Sequence, residues 1–237
     1  MDINIQGYLD TIHSPWGQLF YQMLWHNLEV EGKEILDFGS GFGVTADALA
    51  KSNTVIAVEP NEGMIRNRFQ NHEYKQIVGG IEKLKEMPED SFDLIICHNV
   101  LEYVEERRAV LEEFHRLSRR NGMLSLVKHN RAGKIMHKAV FENNVSEAMD
   151  LIHGEDTVSA NFGLIREYEM SDLQSYISGL YEIKNVYGLR MFFGLQQNEV
   201  KTEPDWLSNM FELECAVEEV PEFRNVAYFH HIILKNA

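Results

Sequence analysis

The chain has two cysteines in 237 residues, Cys97 and Cys215, too far apart for a metal-ligand spacing. That scarcity excludes a disulfide-stapled scaffold and a cysteine-ligated zinc module, and it points to a reduced, cytoplasmic setting. Long hydrophobic runs are missing too. No stretch approaches the roughly 20 apolar residues that a membrane-spanning helix needs. The opening residues, Met-Asp-Ile-Asn-Ile-Gln, lack the basic-then-apolar order of a secretion signal. Basic residues are scarce: 22 Lys and Arg stand against 37 Asp and Glu, a net charge of −15. Nucleic-acid binders draw much of their affinity from neutralising phosphates, so this balance disfavours broad contact with RNA and leaves room only for a local basic patch. No internal repeat, low-complexity tract or flexible linker breaks the chain. What is present is ordinary for a globular protein with a full core: 44% hydrophobic and 25% charged residues.

The densest information lies in residues 34–43, Glu-Ile-Leu-Asp-Phe-Gly-Ser-Gly-Phe-Gly. An apolar run ends in Asp37, glycines follow at 39, 41 and 43, and a helix-forming stretch begins at Val44. A strand that stops in a glycine turn opening onto a helix lets backbone N–H groups approach a ligand closely. A second apolar run, Thr54 to Val58, ends in Glu59, where a carboxylate can accept the two hydroxyls of an adenosine ribose. The pair reads as a nucleoside-cofactor site. The glycines run GxGxG, with Val44 where a dinucleotide fingerprint would continue, and Asp37 would repel a pyrophosphate. An acidic residue there suits a ligand end with positive charge, such as the sulfonium and α-amino group of S-adenosylmethionine.

Periodicity predicts a helix over 16–30, strand 34–38, helix 44–51, strand 54–58, helix 61–69, strands 74–78 and 92–97, helix 105–118 and strand 122–128. Gly122 is read as a helix-ending turn. Strand–helix alternation implies a parallel sheet with helices on both faces. The alternation breaks over 130–170, with a helical stretch from Lys134 to Asp150 and a polar loop containing Gly154, Asn161 and Gly163. Helix 171–180, strand 182–192, helix 203–216 and strand 226–235 complete the chain. The expectation is one domain over 1–237: a helical cap (1–33), a cofactor-binding core (34–129), a lid insertion (130–170) and the rest of the sheet (171–237).

The segments LDFGSGFG, VIAVEPNEGMI and FDLIICHNVLEYV resemble three successive motifs of the class I, Rossmann-like S-adenosylmethionine-dependent methyltransferases. Four further pieces, HNVLEYVEERRAVL, GMLSLVKHNRAGKIMHKAV, YGLRMFF and FELE…EVPEFRNVAYFHHI, resemble the tRNA 5-carboxymethoxyuridine methyltransferase subgroup, as does GQLFYQMLWHNL. The family implies an α/β fold, with a seven-stranded, mostly parallel sheet, helices on both faces and a helical lid after the fifth strand. It implies S-adenosylmethionine as cofactor and S-adenosylhomocysteine as product. Carried over residue by residue, Gly39, Ser40 and Gly41 would hold the methionine end, with Asp37 and Gly43 in the same turn. Glu59 and Pro60 would sit at the ribose with Met64 nearby, Gly80 and Ile81 near the adenine, and His98 beside the cofactor. The subgroup forms a methyl ester on a wobble-uridine carboxylate in tRNA. Two features differ: Phe20 stands where the subgroup has an arginine for the cofactor carboxylate, and the lid reads Met149 to Asp156, acidic where the subgroup has a lysine run.

A carboxylate acceptor is already ionised at neutral pH, so it needs no general base. It needs a cation or donors to place it, and the candidates are Arg190, Arg131 and His137. His230 and His231 alternate faces on a strand, so no metal is expected. Alternatives are a methyltransferase for a small metabolite and a non-catalytic S-adenosylmethionine-binding protein.

Overall fold

The structure is a computed structural model that describes residues 4–155, 157–159 and 163–237. The chain begins with α1 (Ile5–His13) and α2 (Pro15–His26). Then come β1 (Glu34–Phe38), α3 (Val44–Ala50), β2 (Thr54–Glu59), α4 (Glu62–Arg66), β3 (Lys75–Val78), α5 (Ile81–Leu84) and β4 (Phe92–His98). These are followed by α6 (Arg107–Leu117), β5 (Ser118–His129), α7 (Arg131–Met136), α8 (Val145–Ile152), β6 (Thr157–Ser159) and β7 (Gly163–Ile165). The chain ends with α9 (Met170–Ile177), β8 (Tyr181–Leu189), α10 (Trp206–Val217), α11 (Pro221–Arg224) and β9 (Phe229–Asn236).

Seven strands form one mostly parallel sheet in the order β3-β2-β1-β4-β5-β9-β8, and β6 pairs antiparallel with β7 in a separate two-stranded sheet. The chain divides into two compact units: residues 29–127, 170–185 and 232–237 in one, and residues up to 28, 128–169 and 186–231 in the other.

In the first unit, β1 pairs in parallel with both β2 and β4. The chain therefore runs outward through β2 and β3, then returns to place β4 on the other side of β1. That reversal opens a crevice at the carboxyl ends of β1 and β4, where open α/β sheets bind ligands. Ile35 and Leu36 on β1 and Leu94 to Ile96 on β4 are buried. Each such side chain contributes about 1.5–3 kcal/mol when removed from water, so the strands under the crevice are its firmest support.

In the second unit, Ser14 caps α2 by accepting from the Gly17 N–H, and Pro15 fills the first helical position. The expected helix over 16–30 is α2, which starts at Pro15 and ends early, at His26, and a further helix, α1, precedes it. The expected helix from Lys134 to Asp150 is broken as well. A wider π-type turn spans His137–Phe141, Asn143 takes a φ of 50°, and Asn144 caps α8. The expected polar loop carries the paired strands β6 and β7, while Asn161 lies outside the described residues.

Other boundaries also differ. Helix α4 stops at Arg66, because the Asn67 side chain turns back to the Gly63 carbonyl. Strand β5 begins at Ser118, so Gly122 lies inside a strand; the positive φ of 64° falls on Asn121. Strand β8 ends at Leu189, which places Arg190 in a turn beyond it.

Candidate cofactor and acceptor sites

In the first unit, β1 delivers the chain into a turn whose three glycines, Gly39, Gly41 and Gly43, have φ of 74°, 57° and 68°. Glycine enters this left-handed region without steric cost. A Cβ on Gly39 would lie 2.3 Å from Val100, so its absence lets this loop meet the loop after β4. A Cβ on Gly41 would meet nothing within 4 Å, so the backbone there faces open space.

Glu59, the last residue of β2, ties the turn together. Its Oε2 accepts from the Gly41 N–H at 2.9 Å and its Oε1 from the Asn61 N–H at 2.8 Å. Burial pushes its pKa up against those two bonds. Asp37 is 4% exposed. Its pKa is raised to about 7, by burial first and then by the charge of Glu59. The Oδ2 of Asp37 and the Oγ of Ser40 are buried and accept no hydrogen bond. Two buried carboxylates with unused lone pairs favour a ligand that brings positive charge and donors. The donor set therefore fits S-adenosylmethionine, with its sulfonium, amino group and ribose hydroxyls.

The other expected cofactor residues lie in the same unit. His98 ends β4 with Nε2 2.8 Å from the Ser125 hydroxyl. Pro60 is exposed beside Glu59, and Met64 is packed into the core. Gly80 caps α5, with its N–H donating to Glu82 at 2.8 Å, and Ile81 is the first residue of that helix.

In the second unit, Arg190 has a φ of 63°, a conformation that costs a non-glycine residue energy. Glu214 holds the turn in place. It is 0% exposed on α10 and accepts from the N–H groups of Met191, Phe192 and Phe193 at 3.0, 2.8 and 3.1 Å. The Arg190 guanidinium lies over the Tyr228 ring at 4.5 Å, and its Nε is buried with no hydrogen-bond partner. Gly194 lets the side chain lie flat, since a Cβ there would be 2.8 Å from Arg190 Cγ. Burial pulls the guanidinium pKa down, opposed by Tyr228, Glu214 and Glu142.

His137 differs from its expected role. Its Nδ1 lies 2.7 Å from the Gly194 carbonyl, which can only accept, so that nitrogen carries the proton. Burial and the charge of Arg190 lower its pKa to about 4. It is neutral and supports the Arg190 turn. Arg131 bridges Glu167 at 3.4 Å and Glu169 at 3.1 Å and reaches the Leu151 carbonyl at 3.0 Å, a network that Lys134 joins through Glu167. Phe20 packs on Phe229 at 5.2 Å. His230 bonds the Arg224 carbonyl and His231 is buried. Elsewhere in this unit, His26, Cys215 and Glu218 bring ligand-type atoms within 4.8 Å of one another, a grouping that the long stretch of chain between His26 and Cys215 conceals in the sequence.

Residues 36–126 match the family model for a methyltransferase domain. The chain is a class I methyltransferase. Among curated relatives, the tRNA 5-carboxymethoxyuridine methyltransferase of Escherichia coli K12 is 27% identical over 216 residues, covering 84% of this chain and 80% of the relative. A ubiquinone biosynthesis O-methyltransferase of Pseudomonas syringae pv. tomato is 31% identical over 111 residues, 44% of this chain and 47% of the relative. Among solved structures, an S-adenosylmethionine-dependent methyltransferase from Mesorhizobium loti superposes with a TM-score of 0.58 at 17% identity, covering 92% of this chain and 97% of that one. One from Archaeoglobus fulgidus gives a TM-score of 0.61 at 13% identity, covering 96% and 98%. These solved structures share the fold. No helix among the described residues is long and apolar enough to cross a membrane.

Sequence reasoning missed two residues of this methyltransferase. Glu214 left a signal: Trp206, Met210 and Glu214 fall at four-residue intervals on α10 and are all buried, so an acid occupies the apolar stripe. Lys201, buried in the short 3₁₀ turn Asn198–Thr202, left none.

Proposed function

We propose that this methyltransferase binds S-adenosylmethionine at the glycine turn and transfers its methyl group to a carboxylate, with the carboxymethoxy group of a tRNA wobble uridine as the first candidate. The observation that carries the reading is Arg190. It is a buried guanidinium with an unpartnered Nε, held in a strained turn by three backbone bonds to Glu214. A planar cation fixed in this way suits a carboxylate. The cofactor supplies an activated methyl group, and the chain supplies orientation: Glu59, Asp37 and the turn amides for the cofactor, Arg190 for the acceptor. The 27% identity to the E. coli tRNA enzyme along most of the chain supports the same reading.

The lid favours a second reading, a small carboxylate metabolite. Its cations are already paired: Arg131 and Lys134 with Glu167, and Lys138 with Glu142 and Glu147 at 2.7 and 2.6 Å. They leave little positive surface for tRNA phosphates. The deciding experiment incubates the protein with methyl-labelled S-adenosylmethionine and fractionated cell extract. Base-labile label in tRNA is the expected result. Label confined to small molecules selects the second reading, and no transfer to any carboxylate overturns both.

A further inference from the structure

Lys201 is 2% exposed. Its ammonium lies between the rings of Trp16 at 5.3 Å and Phe141 at 5.2 Å. Its hydrogen bond goes to a neutral acceptor, Asn198 Oδ1, at 2.9 Å. Phe141 stacks on His137 at 4.7 Å, His137 meets Tyr228 edge-on at 5.2 Å, and Tyr228 carries Arg190. Two cations thus stand at the two ends of one line of rings. Among the described residues neither forms an ion pair. Of the nearby carboxylates, Glu214 is held by three amides and Glu142 by Lys138 at 2.7 Å, while Glu199, in the Lys201 turn, is exposed and makes no ion pair with it. Burying two positive charges without a counter-ion is costly, and a methionine or leucine would fill the Lys201 position without that cost. The arrangement makes sense when a ligand provides the negative charge.

We infer that Lys201 is the second anchor of the Arg190 site, and that the ligand held there carries two anionic groups, a carboxylate at Arg190 and a further carboxylate or phosphate at Lys201. The inference rests on the reading that Arg190 holds an anionic acceptor, and it narrows the acceptor class. A molecule with one negative charge leaves one buried cation uncompensated; a dicarboxylate or a carboxylate-bearing nucleotide satisfies both.

The charge on Lys201 gives the site a signature. Burial and the field of Arg190 pull its pKa down to about 8, and Glu199 in its own turn opposes this. Of the titratable groups in the line of rings, His137 is neutral above a pKa of about 4, and burial raises the Tyr228 phenol above its ordinary value of 10. The second anchor is therefore charged below pH 8 and lost above it, while Arg190 stays charged throughout.

The test compares acetate, succinate and phosphoglycolate as probes for the full-length protein, by calorimetry or thermal shift. At pH 7 the wild type should bind succinate or phosphoglycolate about tenfold or more tighter than acetate, the gain expected from a second charge-assisted pair. Lys201→Met should bring the three probes within about twofold of one another, and Lys201→Arg should keep the preference. Raising the pH to about 9.5 should erase the preference in the wild type and leave it in Lys201→Arg. This arm needs no variant that removes the charge, so it decides even if Lys201→Met fails to fold. A stronger phosphoglycolate signal places a phosphate at Lys201; a stronger succinate signal places a carboxylate there. The inference is overturned if the wild type shows no preference, or if the preference survives in Lys201→Met or at high pH. Methyl transfer to tRNA is scored separately: dianion selectivity without that transfer removes the tRNA acceptor and keeps the anchor, and transfer without selectivity does the reverse.

Discussion

Two turns carry the chemistry proposed for this chain, and they are built alike. Each follows a sheet strand, β1 or β8; each contains left-handed backbone; and each is tied by a buried carboxylate accepting backbone N–H groups, Glu59 in one and Glu214 in the other. They differ in what fills the left-handed positions and in charge. The first uses glycines, and its buried groups are acidic, so the pKa of Asp37 rises to about 7. The second places Arg190 itself at φ 63°, and Lys201, at the other end of its line of rings, has its pKa lowered to about 8. On the proposed reading, the acidic turn takes the cationic cofactor and the basic turn takes an anionic acceptor.

The largest test of the comparison is to remove a clamp. Glu214→Ala leaves three amides of a buried turn without an acceptor, so a loss of about 3 kcal/mol or more is expected in denaturant unfolding, with a smaller loss for Glu214→Gln. A loss below about 1 kcal/mol would show that water or another group replaces the carboxylate. The matching change, Glu59→Ala, removes two amide bonds and the proposed ribose acceptor together. It should weaken S-adenosylmethionine binding about tenfold or more and lower stability as well. Unchanged affinity by calorimetry would remove Glu59 from the ribose.

The charge difference is sharpened by pH. A cationic ligand favours the ionised form of Asp37, so affinity for S-adenosylmethionine should fall as the pH drops below 7, approaching tenfold per unit. S-adenosylhomocysteine, without the sulfonium charge, should weaken less. In the free protein the sign is opposite: a raised carboxyl pKa adds stability as the pH falls from 7 towards 3.8, the unperturbed value. Equal pH profiles for the two ligands would separate Asp37 from the sulfonium end. The smallest effect concerns backbone strain. Arg190→Gly should be more stable than Arg190→Ala by about 1 kcal/mol, because only glycine relaxes at that φ.

The two turns were not equally legible. The first declares itself in sequence because glycines and a strand-final carboxylate are local features, separated by little more than one βα unit. The seven-stranded sheet was legible for the same reason, through alternating short apolar runs. The second turn depends on partners far along the chain: Arg190 on Glu214 and Tyr228, His137 on Gly194, and Lys201 on Trp16. Arg190 was a candidate from the sequence, but its place beyond the strand and its clamp were not legible there. His137 was a candidate for placing the acceptor, but its Nδ1 faces the Gly194 carbonyl, and Arg131, another candidate, pairs with Glu167 and Glu169. The lid departed most from expectation because Asn143 and Asn144 interrupt a pattern whose apolar spacing alone reads as one helix.

The central claim is that the anionic and cationic turns hold different partners of one reaction. Single-turnover transfer of a labelled methyl group, measured together with S-adenosylmethionine affinity on wild type and Arg190→Ala, tests it directly. The expected result is a transfer rate about a hundredfold lower, roughly 3 kcal/mol of barrier, with cofactor affinity changed by no more than about twofold. A wild-type rate in Arg190→Ala, or a parallel loss of rate and cofactor affinity, would contradict it.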